Sequence, residues 1–141
     1  MNIYFACSIT GGREDQQIYQ ALVQYLLENG HKVPTAILSS ENAIEHEQII
    51  PAKEVYERDT RWIRECDVLV AEVSTPSHGV GFEIAYALFS GKPVYCCYQV
   101  GQTISKMILG NTSSRLHLCP YQTKEQALER LGEFLSQFTS L

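Results

Sequence analysis

The feature that most constrains the fold is a short apolar run near the middle of the chain. Residues 67–73 read Asp-Val-Leu-Val-Ala-Glu-Val, so the centre of the run is apolar without alternation. A strand buried on both faces of a parallel sheet shows this continuous pattern, whereas a strand with one face in water alternates. Turn residues follow at 74–79, before a helical pattern begins. The sequence therefore predicts a buried parallel strand with a helix as its crossover connection.

Strand-like and helix-like segments alternate along the whole chain. Five strands are predicted, at Ile3–Cys7, Lys32–Leu38, Asp67–Val73, Lys92–Tyr98 and Arg115–Leu118. Helices are predicted from Ile18 to Asn29-Gly30 and over Val55–Ile63, Phe82–Phe89, Thr103–Leu109 and Lys124–Phe138, and the polar stretch Ser39–Pro51 is predicted to be a mobile loop. This alternation predicts one α/β domain over residues 1–141, with a doubly wound, five-stranded parallel sheet flanked by helices. In such sheets a ligand binds beyond the carboxyl ends of the strands, where the winding reverses.

Composition excludes several kinds of function. The 141 residues carry a net charge of −5, which argues against a protein that covers the phosphates of a nucleic acid. No apolar run approaches the roughly 20 residues of a membrane-spanning helix, and the N-terminus has no basic signal-peptide region. We therefore expect no membrane partner and a cytoplasmic location. The 5 cysteines include no CxxC pair and the 4 histidines are scattered, so buried reduced thiols and no metal site are expected.

The segment after the first predicted strand is a candidate binding loop. Residues 7–13 read Cys-Ser-Ile-Thr-Gly-Gly-Arg. Glycines let a ligand approach the backbone closely, and the N-terminus of the following helix favours an anion. The segment matches neither the dinucleotide nor the ATP glycine motif. An ordinary strand-to-helix turn is the alternative interpretation.

Two carboxylates are candidates for catalysis. Glu83 follows the most buried strand and small residues, in the predicted first turn of a helix, where the dipole keeps a carboxylate ionised as a nucleophile requires. The alternative is a helix-start residue placed for stability. Asp59 lies on the helix that leads into the same strand; the alternative is a solvated residue paired with Arg58 or Arg61. Tyr4, in the first strand, has the pattern of a half-buried aromatic.

Taken together, these segments resemble the nucleoside 2-deoxyribosyltransferase family, and within it the 2′-deoxynucleoside 5′-phosphate N-hydrolases. The resemblance runs in order over nearly the whole chain. It implies a flavodoxin-like homodimer with shared active sites, no cofactor and a small nucleotide as substrate. The matching stretches are Ile3-Tyr4-Phe5, Ser8-Ile9, Gly11–Asp15, Glu57-Arg58-Asp59, Trp62, Asp67-Val68, Val70–Val73, Pro76-Ser77 and Gly79–Glu83.

The resemblance also implies a role for each catalytic candidate. Glu83 matches the nucleophile that attacks the anomeric carbon and forms a covalent glycosyl-enzyme. Asp59 matches the carboxyl group that assists departure of the base, and Tyr4 matches the tyrosine that steadies the nucleophile and the sugar. Two carboxyl groups about 5 Å apart suit such a double displacement. The implied reaction hydrolyses the N-glycosidic bond of a (2′-deoxy)nucleoside 5′-monophosphate to a free base and a (deoxy)ribose 5-phosphate.

The end of the substrate that carries the phosphate distinguishes hydrolases from transferases. Transferases of the family usually have Asp at the position of Ser77, where it binds a free 5′-hydroxyl and would repel a phosphate, whereas a serine donates to one. Ser8, Ser77 and the Gly79 amide are therefore the expected phosphate cradle, with Arg13 as nearby positive charge. Ser114 matches a serine contributed by the neighbouring subunit. The full set of expected substrate-binding residues is Cys7, Ser8, Ile9, Thr10, Gly11, Gly12, Arg13, Ser77, Gly79 and Ser114.

Two residues depart from the hydrolase pattern, since Thr10 stands where an arginine is common and Cys7 where glycine is frequent. A transferase that passes the deoxyribosyl group to a second base is therefore an alternative. A nucleotide-binding module without catalysis is another, and flavin binding is suggested by the fold alone. Ile37 stands where some relatives have a polar residue that contacts the base, so the sequence predicts no base preference.

Overall fold

The computed structural model describes residues 1–9, 15–40 and 42–139, with the backbone alone at 38 and 46. Within these residues the chain forms four strands, β1 (Ile3–Ala6), β2 (Val68–Glu72), β3 (Val94–Gln99) and β4 (Leu116–Tyr121). The α-helices are α1 (Gln16–Glu28), α2 (Ala43–Gln48), α3 (Ala52–Glu65), α4 (His78–Phe89), α5 (Lys106–Leu109) and α6 (Lys124–Thr139). A short 3-10 helix spans Ala36–Ser39.

The four strands form one parallel sheet in the order β1-β2-β3-β4. Ile3 pairs with Val68, Leu69 with Val94, and Val94 with Leu116, so neighbouring strands begin at a similar level. Their carboxyl ends consequently meet at one edge of the sheet. The prediction of an α/β fold with a parallel sheet flanked by helices is confirmed.

The sheet separates two apolar cores, because successive strand residues face opposite sides. On one side, Ile3 and Phe5 of β1 pack in a core with residues of α1 and α6. On the other side, Tyr4 and Ala6 pack in a core with residues of α3 and α4. β2 is buried at all five positions, which explains its continuous apolar sequence.

The prediction of a fifth strand over residues 32–38 is wrong. A single parallel bridge joins Asn2 to Lys32, and the chain then turns into the 3-10 helix. The Thr35 hydroxyl accepts a hydrogen bond from the Phe5 N–H at 3.0 Å and donates to the Phe5 carbonyl at 2.7 Å. This hydroxyl occupies the edge of β1 where the backbone of another strand would lie. Pro34 also lacks the N–H that a ladder requires.

Two predicted boundaries near the carboxyl edge of the sheet also differ. The stretch 39–51, predicted to be a loop, contains α2. Helix α4 begins at His78 rather than Phe82, because Ser77 caps it, its Oγ accepting from the Val80 N–H at 3.2 Å. The early start of α4 changes the position of Glu83 in its helix.

No helix in the described ranges is long and apolar enough to cross a membrane. The five cysteines, all within the described residues, form no disulfide, and four of them are buried. Among the same residues, no three His, Cys, Asp or Glu side chains lie together as a metal site would require.

Candidate active site

A cleft of about 460 Å³ opens beyond the carboxyl ends of β1 and β2. Its position agrees with the rule for parallel α/β sheets. The lining residues come from the segment after β1, from the start of α4, from α3 and from the region of α2. They are Cys7, Ile9, Ser77, Gly79, Phe82, Glu83, Ala52, Val55, Tyr56, Asp59, Thr60, Ile63, Glu47 and Ile50.

One face of α3 forms a wall of the cleft. Its lining residues are numbers 52, 55, 56, 59, 60 and 63, which recur at the spacing of three and four that places side chains on one helix face. On α4, residues 79, 82 and 83 follow the same spacing. Asp59 and Glu83 therefore line the same cleft from two neighbouring helices.

Tyr4 and Glu83 form a direct hydrogen bond. Tyr4 is fully buried on the side of β1 that faces α3 and α4. Its hydroxyl donates to Glu83 Oε2. A donor to a carboxylate favours the ionised form. The structure thus brings together two of the three predicted catalytic side chains.

The predicted position of Glu83 in its helix, and the ionised state inferred from that position, require correction. Since α4 begins at His78, Glu83 lies in the second turn, and the first turn contains no acidic residue. The effect of the helix dipole falls off within the first turn. Burial raises the pKa of Glu83 to about 8. The expectation that the dipole keeps this carboxylate ionised is therefore wrong.

Asp59 is engaged by a neighbouring cation. Arg58 Nε donates to Asp59 Oδ1 at 2.7 Å, and Arg58 Nη2 donates to Glu47 Oε1 at 2.9 Å. Burial raises the pKa of Asp59, Arg58 lowers it through its hydrogen bond and charge, and Glu47 raises it. The net direction is upward, because the effect of burial outweighs that of Arg58.

Ser77 and Gly79 lie where α4 begins. Because the Ser77 oxygen accepts from Val80, the hydroxyl proton is left to donate to another group. A Cβ added at Gly79 would lie 3.8 Å from Ser77 Oγ and 4.0 Å from Glu83 Oε1. Gly79 is therefore close to both the serine and the carboxylate.

The remaining predicted binding residues have other positions. Thr10, Gly11, Gly12 and Arg13 lie outside the described residues. Cys7 and Ile9 line the cleft, whereas Ser8 between them is buried and does not. Ser114 is exposed and precedes β4, at the amino edge of the sheet, so the Ser114 of the same chain lies away from the cleft.

Several lining residues were not singled out from the sequence. Glu47 and Ile50 fall in the stretch predicted to be a loop, where no periodicity marked a helix. Tyr56 lies on the same helix as Asp59 but was given no role from the sequence. Phe82, half exposed, lies with its ring centroid 6.2 Å from that of Tyr56. The signal available in the sequence was the spacing of three and four between the α3 lining residues, which places them on one helix face.

Comparison with known sequences identifies a family. A sequence model described as nucleoside 2-deoxyribosyltransferase matches residues 3–132. A protein of Thermofilum pendens, named provisionally as a 2′-deoxynucleoside 5′-phosphate N-hydrolase, is 39% identical over 137 residues, covering 96% of this chain and 95% of the relative. A Danio rerio protein named 5-hydroxymethyl-dUMP N-hydrolase is 33% identical over 141 residues, covering 99% of each chain.

Comparison with solved structures supports the fold. A structure of a Clostridium botulinum CMP N-glycosidase superposes with a TM-score of 0.74 at 21% identity. The match covers 95% of this chain and 99% of the other. At this identity, the likeness concerns the arrangement of strands and helices.

Proposed function

This chain belongs to the nucleoside 2-deoxyribosyltransferase family, and from that premise we propose that it hydrolyses the N-glycosidic bond of 2′-deoxynucleoside 5′-monophosphates. The products are a free base and deoxyribose 5-phosphate. The names of the two relatives, both N-hydrolases of nucleoside monophosphates, support this reaction. The observation that carries the proposal is the Tyr4–Glu83 hydrogen bond in a cleft that Asp59 also lines.

The first step of the proposed reaction forms a covalent intermediate. A Glu83 oxygen bonds to the anomeric carbon of the sugar while the carbon–nitrogen bond to the base breaks. The electron pair of that bond goes to the base nitrogen, and the Asp59 carboxyl group gives its proton to the base. The transition state resembles an oxocarbenium ion, which a nearby carboxylate stabilises.

Water completes the proposed reaction. Its oxygen bonds to the anomeric carbon, the bond from that carbon to Glu83 breaks, and the Asp59 carboxylate takes a proton from the water. Both carboxyl groups return to their starting forms. Burial supports the proton-donating role of Asp59 by raising its pKa, and the Tyr4 hydroxyl supports the attack by favouring ionised Glu83.

We propose that the 5′-phosphate binds where α4 begins. The Ser77 hydroxyl proton and the free N–H groups of the first turn are suited to phosphate oxygens. The first turn of α4 has no acidic residue to repel the phosphate. Gly79, next to Ser77 and Glu83, leaves space for the sugar and phosphate between them. Thr10–Arg13 and Ser8 remain the other expected contributors from the segment after β1.

We further propose a homodimer in which Ser114 serves the cleft of the partner subunit. Helix α5 contains only four residues, and its Met107 is 84% exposed. Beside it, Leu116 and Leu118 of β4 are only half-buried. A second copy would cover this apolar face, and Ser114 lies directly between α5 and β4. Met107→Glu is expected to give a monomer in sedimentation equilibrium with lost activity; an active monomer would contradict the shared site.

The experiment that tests the reaction compares dGMP with deoxyguanosine and follows free guanine by chromatography. Guanine is expected from dGMP, and Glu83→Ala should abolish its release while Glu57→Ala, on the exposed side of α3, should not. Release from deoxyguanosine only when a second base is added would instead identify a transferase. If the wild-type protein binds the deoxynucleoside 5′-monophosphates of the four common bases but hydrolyses none of them, a non-catalytic module would be favoured.

A further inference from the structure

Arg58 connects two acidic side chains that line the cleft. It donates from Nε to Asp59 Oδ1 at 2.7 Å and from Nη2 to Glu47 Oε1 at 2.9 Å. The side chains are only 17% exposed for Arg58 and Asp59 and 13% exposed for Glu47. The three charged side chains are thus largely removed from water, and Arg58 donates a hydrogen bond to each of the two carboxylates.

The guanidinium plane is held by a third contact. The Arg58 guanidinium carbon lies 4.9 Å from the centroid of the Trp62 ring, one helical turn further along α3. A cation over an indole face is attracted by the ring quadrupole, and arginine stacks on it with a fixed orientation. Arg58 is therefore fixed by Trp62 on its own helix and by Glu47 of α2, so its bond to Asp59 has a defined direction.

These contacts leave a specific oxygen of Asp59 for chemistry. Among the described residues, Arg58 is the donor to Asp59, and it occupies Oδ1. We propose that Arg58 is a positioning residue, which holds Oδ1 so that Oδ2 carries the proton to the departing base. This inference rests on the proposed function, because it assigns Arg58 an effect only through Asp59.

A purely structural ion pair would have a different consequence. Loss of such a pair would disturb the α2–α3 wall and slow every substrate alike. Because Asp59 also takes a proton from water in the second step, the comparison is made on the first step, release of the base. In that step a positioning residue for the proton donor matters only where the leaving group needs a proton. The dependence of the Arg58 effect on the leaving group therefore separates the two roles.

The test uses dGMP and 7-methyl-dGMP, whose base is already cationic and departs as neutral 7-methylguanine without protonation. Arg58→Met keeps an aliphatic side chain on Trp62 and removes the donors. For dGMP we expect the rate of guanine release in a single turnover at saturating substrate to fall by about 10- to 100-fold, since misplacement of a catalytic group acts mainly on the transition state. For 7-methyl-dGMP, after subtraction of its spontaneous hydrolysis, the single-turnover rate of 7-methylguanine release should stay within about twofold.

Three further variants complete the design. Arg61→Met, at an exposed position on the same helix, should leave both substrates unaffected. Arg58→Lys, which keeps the charge without the fork, should restore part of the dGMP rate. Glu47→Gln, which keeps an oxygen acceptor but loses the charge, should give a smaller loss with the same preference for dGMP. Glu47→Gln also preserves the test if Arg58→Met does not fold, as judged by circular dichroism.

The outcomes separate this inference from the proposed function. An equal fall on both substrates, or an unchanged dGMP rate, in Arg58→Met would overturn the positioning role. Asp59→Asn provides the reference, since it should reproduce the same difference between substrates with a larger loss on dGMP. If Glu83→Ala retains activity, the proposed function fails instead, whatever Arg58 does.

Discussion

Replacement of the nucleophile candidate Glu83 by its amide is expected to stabilise the protein. Burial raises the pKa of Glu83 from its ordinary 4.5 to about 8. At about 1.4 kcal/mol per pKa unit, this corresponds to at most about 5 kcal/mol. The side chain is partly exposed and accepts a hydrogen bond from Tyr4, so we expect about 2–4 kcal/mol.

The sign and pH window of this effect follow from proton linkage. A carboxyl group with a raised folded-state pKa binds its proton more tightly in the folded protein than in the unfolded chain. Wild-type stability therefore falls as the pH rises from about 4.5 to about 8, whereas the Glu83→Gln variant has no such loss. At pH 5 the two proteins should differ by less than about 1 kcal/mol from this effect. At pH 9 the variant should melt roughly 6–15 °C higher.

Thermal unfolding followed by circular dichroism from pH 5 to pH 9 measures this difference. Glu133→Gln, an exposed position on α6, controls for the loss of a surface charge and should show a difference that does not change with pH. A Glu83→Gln variant no more stable relative to wild type at pH 9 than at pH 5 would refute the claim that ionised Glu83 is destabilised by burial.

The remaining predictions concern the cleft and the edge of the sheet. Gly79→Ala and Gly81→Ala should each stabilise α4 by about 0.5–1 kcal/mol, but only Gly79→Ala should lower kcat/KM, by about tenfold, because its methyl lies beside the reacting groups. Equal kinetics of the two variants would place the substrate elsewhere. Thr35→Val leaves two β1 backbone groups unpaired and should cost about 2–4 kcal/mol in urea unfolding; a neutral result would show that water replaces the hydroxyl. With 7-methyl-dGMP, whose base departs without a proton from Asp59, wild-type kcat/KM should rise with pH to a midpoint near 8, and Tyr4→Phe should move that midpoint higher; an unmoved midpoint would mean that the hydroxyl does not act on the nucleophile.

Local hydrophobic patterns were sufficient to predict most strands of the sheet, but they were insufficient at the edge of the sheet beside β1. The run at Val68–Glu72 was recognisable because burial on both faces imposes apolar residues at every position. The segment Lys32–Leu38 was a weaker strand candidate, interrupted by Pro34, and its outcome depended on a tertiary contact, the Thr35 hydroxyl at Phe5. A side chain that replaces a strand leaves no periodic signal in the sequence.

The start of α4 shows a different limit. Gly79 and Gly81 have low helix propensity, which made a helix before Phe82 look unfavourable. The Ser77 cap and packing of the helix against β2 outweigh that preference. The error of four residues placed Glu83 in the first turn, whereas it lies in the second turn, where the helix dipole has little effect on its carboxylate.

The candidate site was partly accessible from the sequence. Resemblance to a family indicated Tyr4, Asp59 and Glu83, and the structure joins Tyr4 to Glu83 and places Asp59 in the same cleft. Glu47 was not predicted, because its contact with Arg58 spans 11 residues and two helices. Spacing along one helix reveals a shared face, but not which distant charge will meet it.

The Thr35 hydroxyl also limits how copies of this protein can associate. An open strand edge is a template for strand addition and amyloid-like aggregation, and β1 would present one if its N–H and C=O groups were free. With Phe5 bonded to Thr35 on both groups, no foreign strand can pair there. At the opposite edge, β4 carries Pro120, which has no N–H and whose carbonyl accepts from Arg130 at 2.7 Å. Growth of the sheet is thus blocked at one edge by a threonine hydroxyl and hindered at the other by a proline and an arginine.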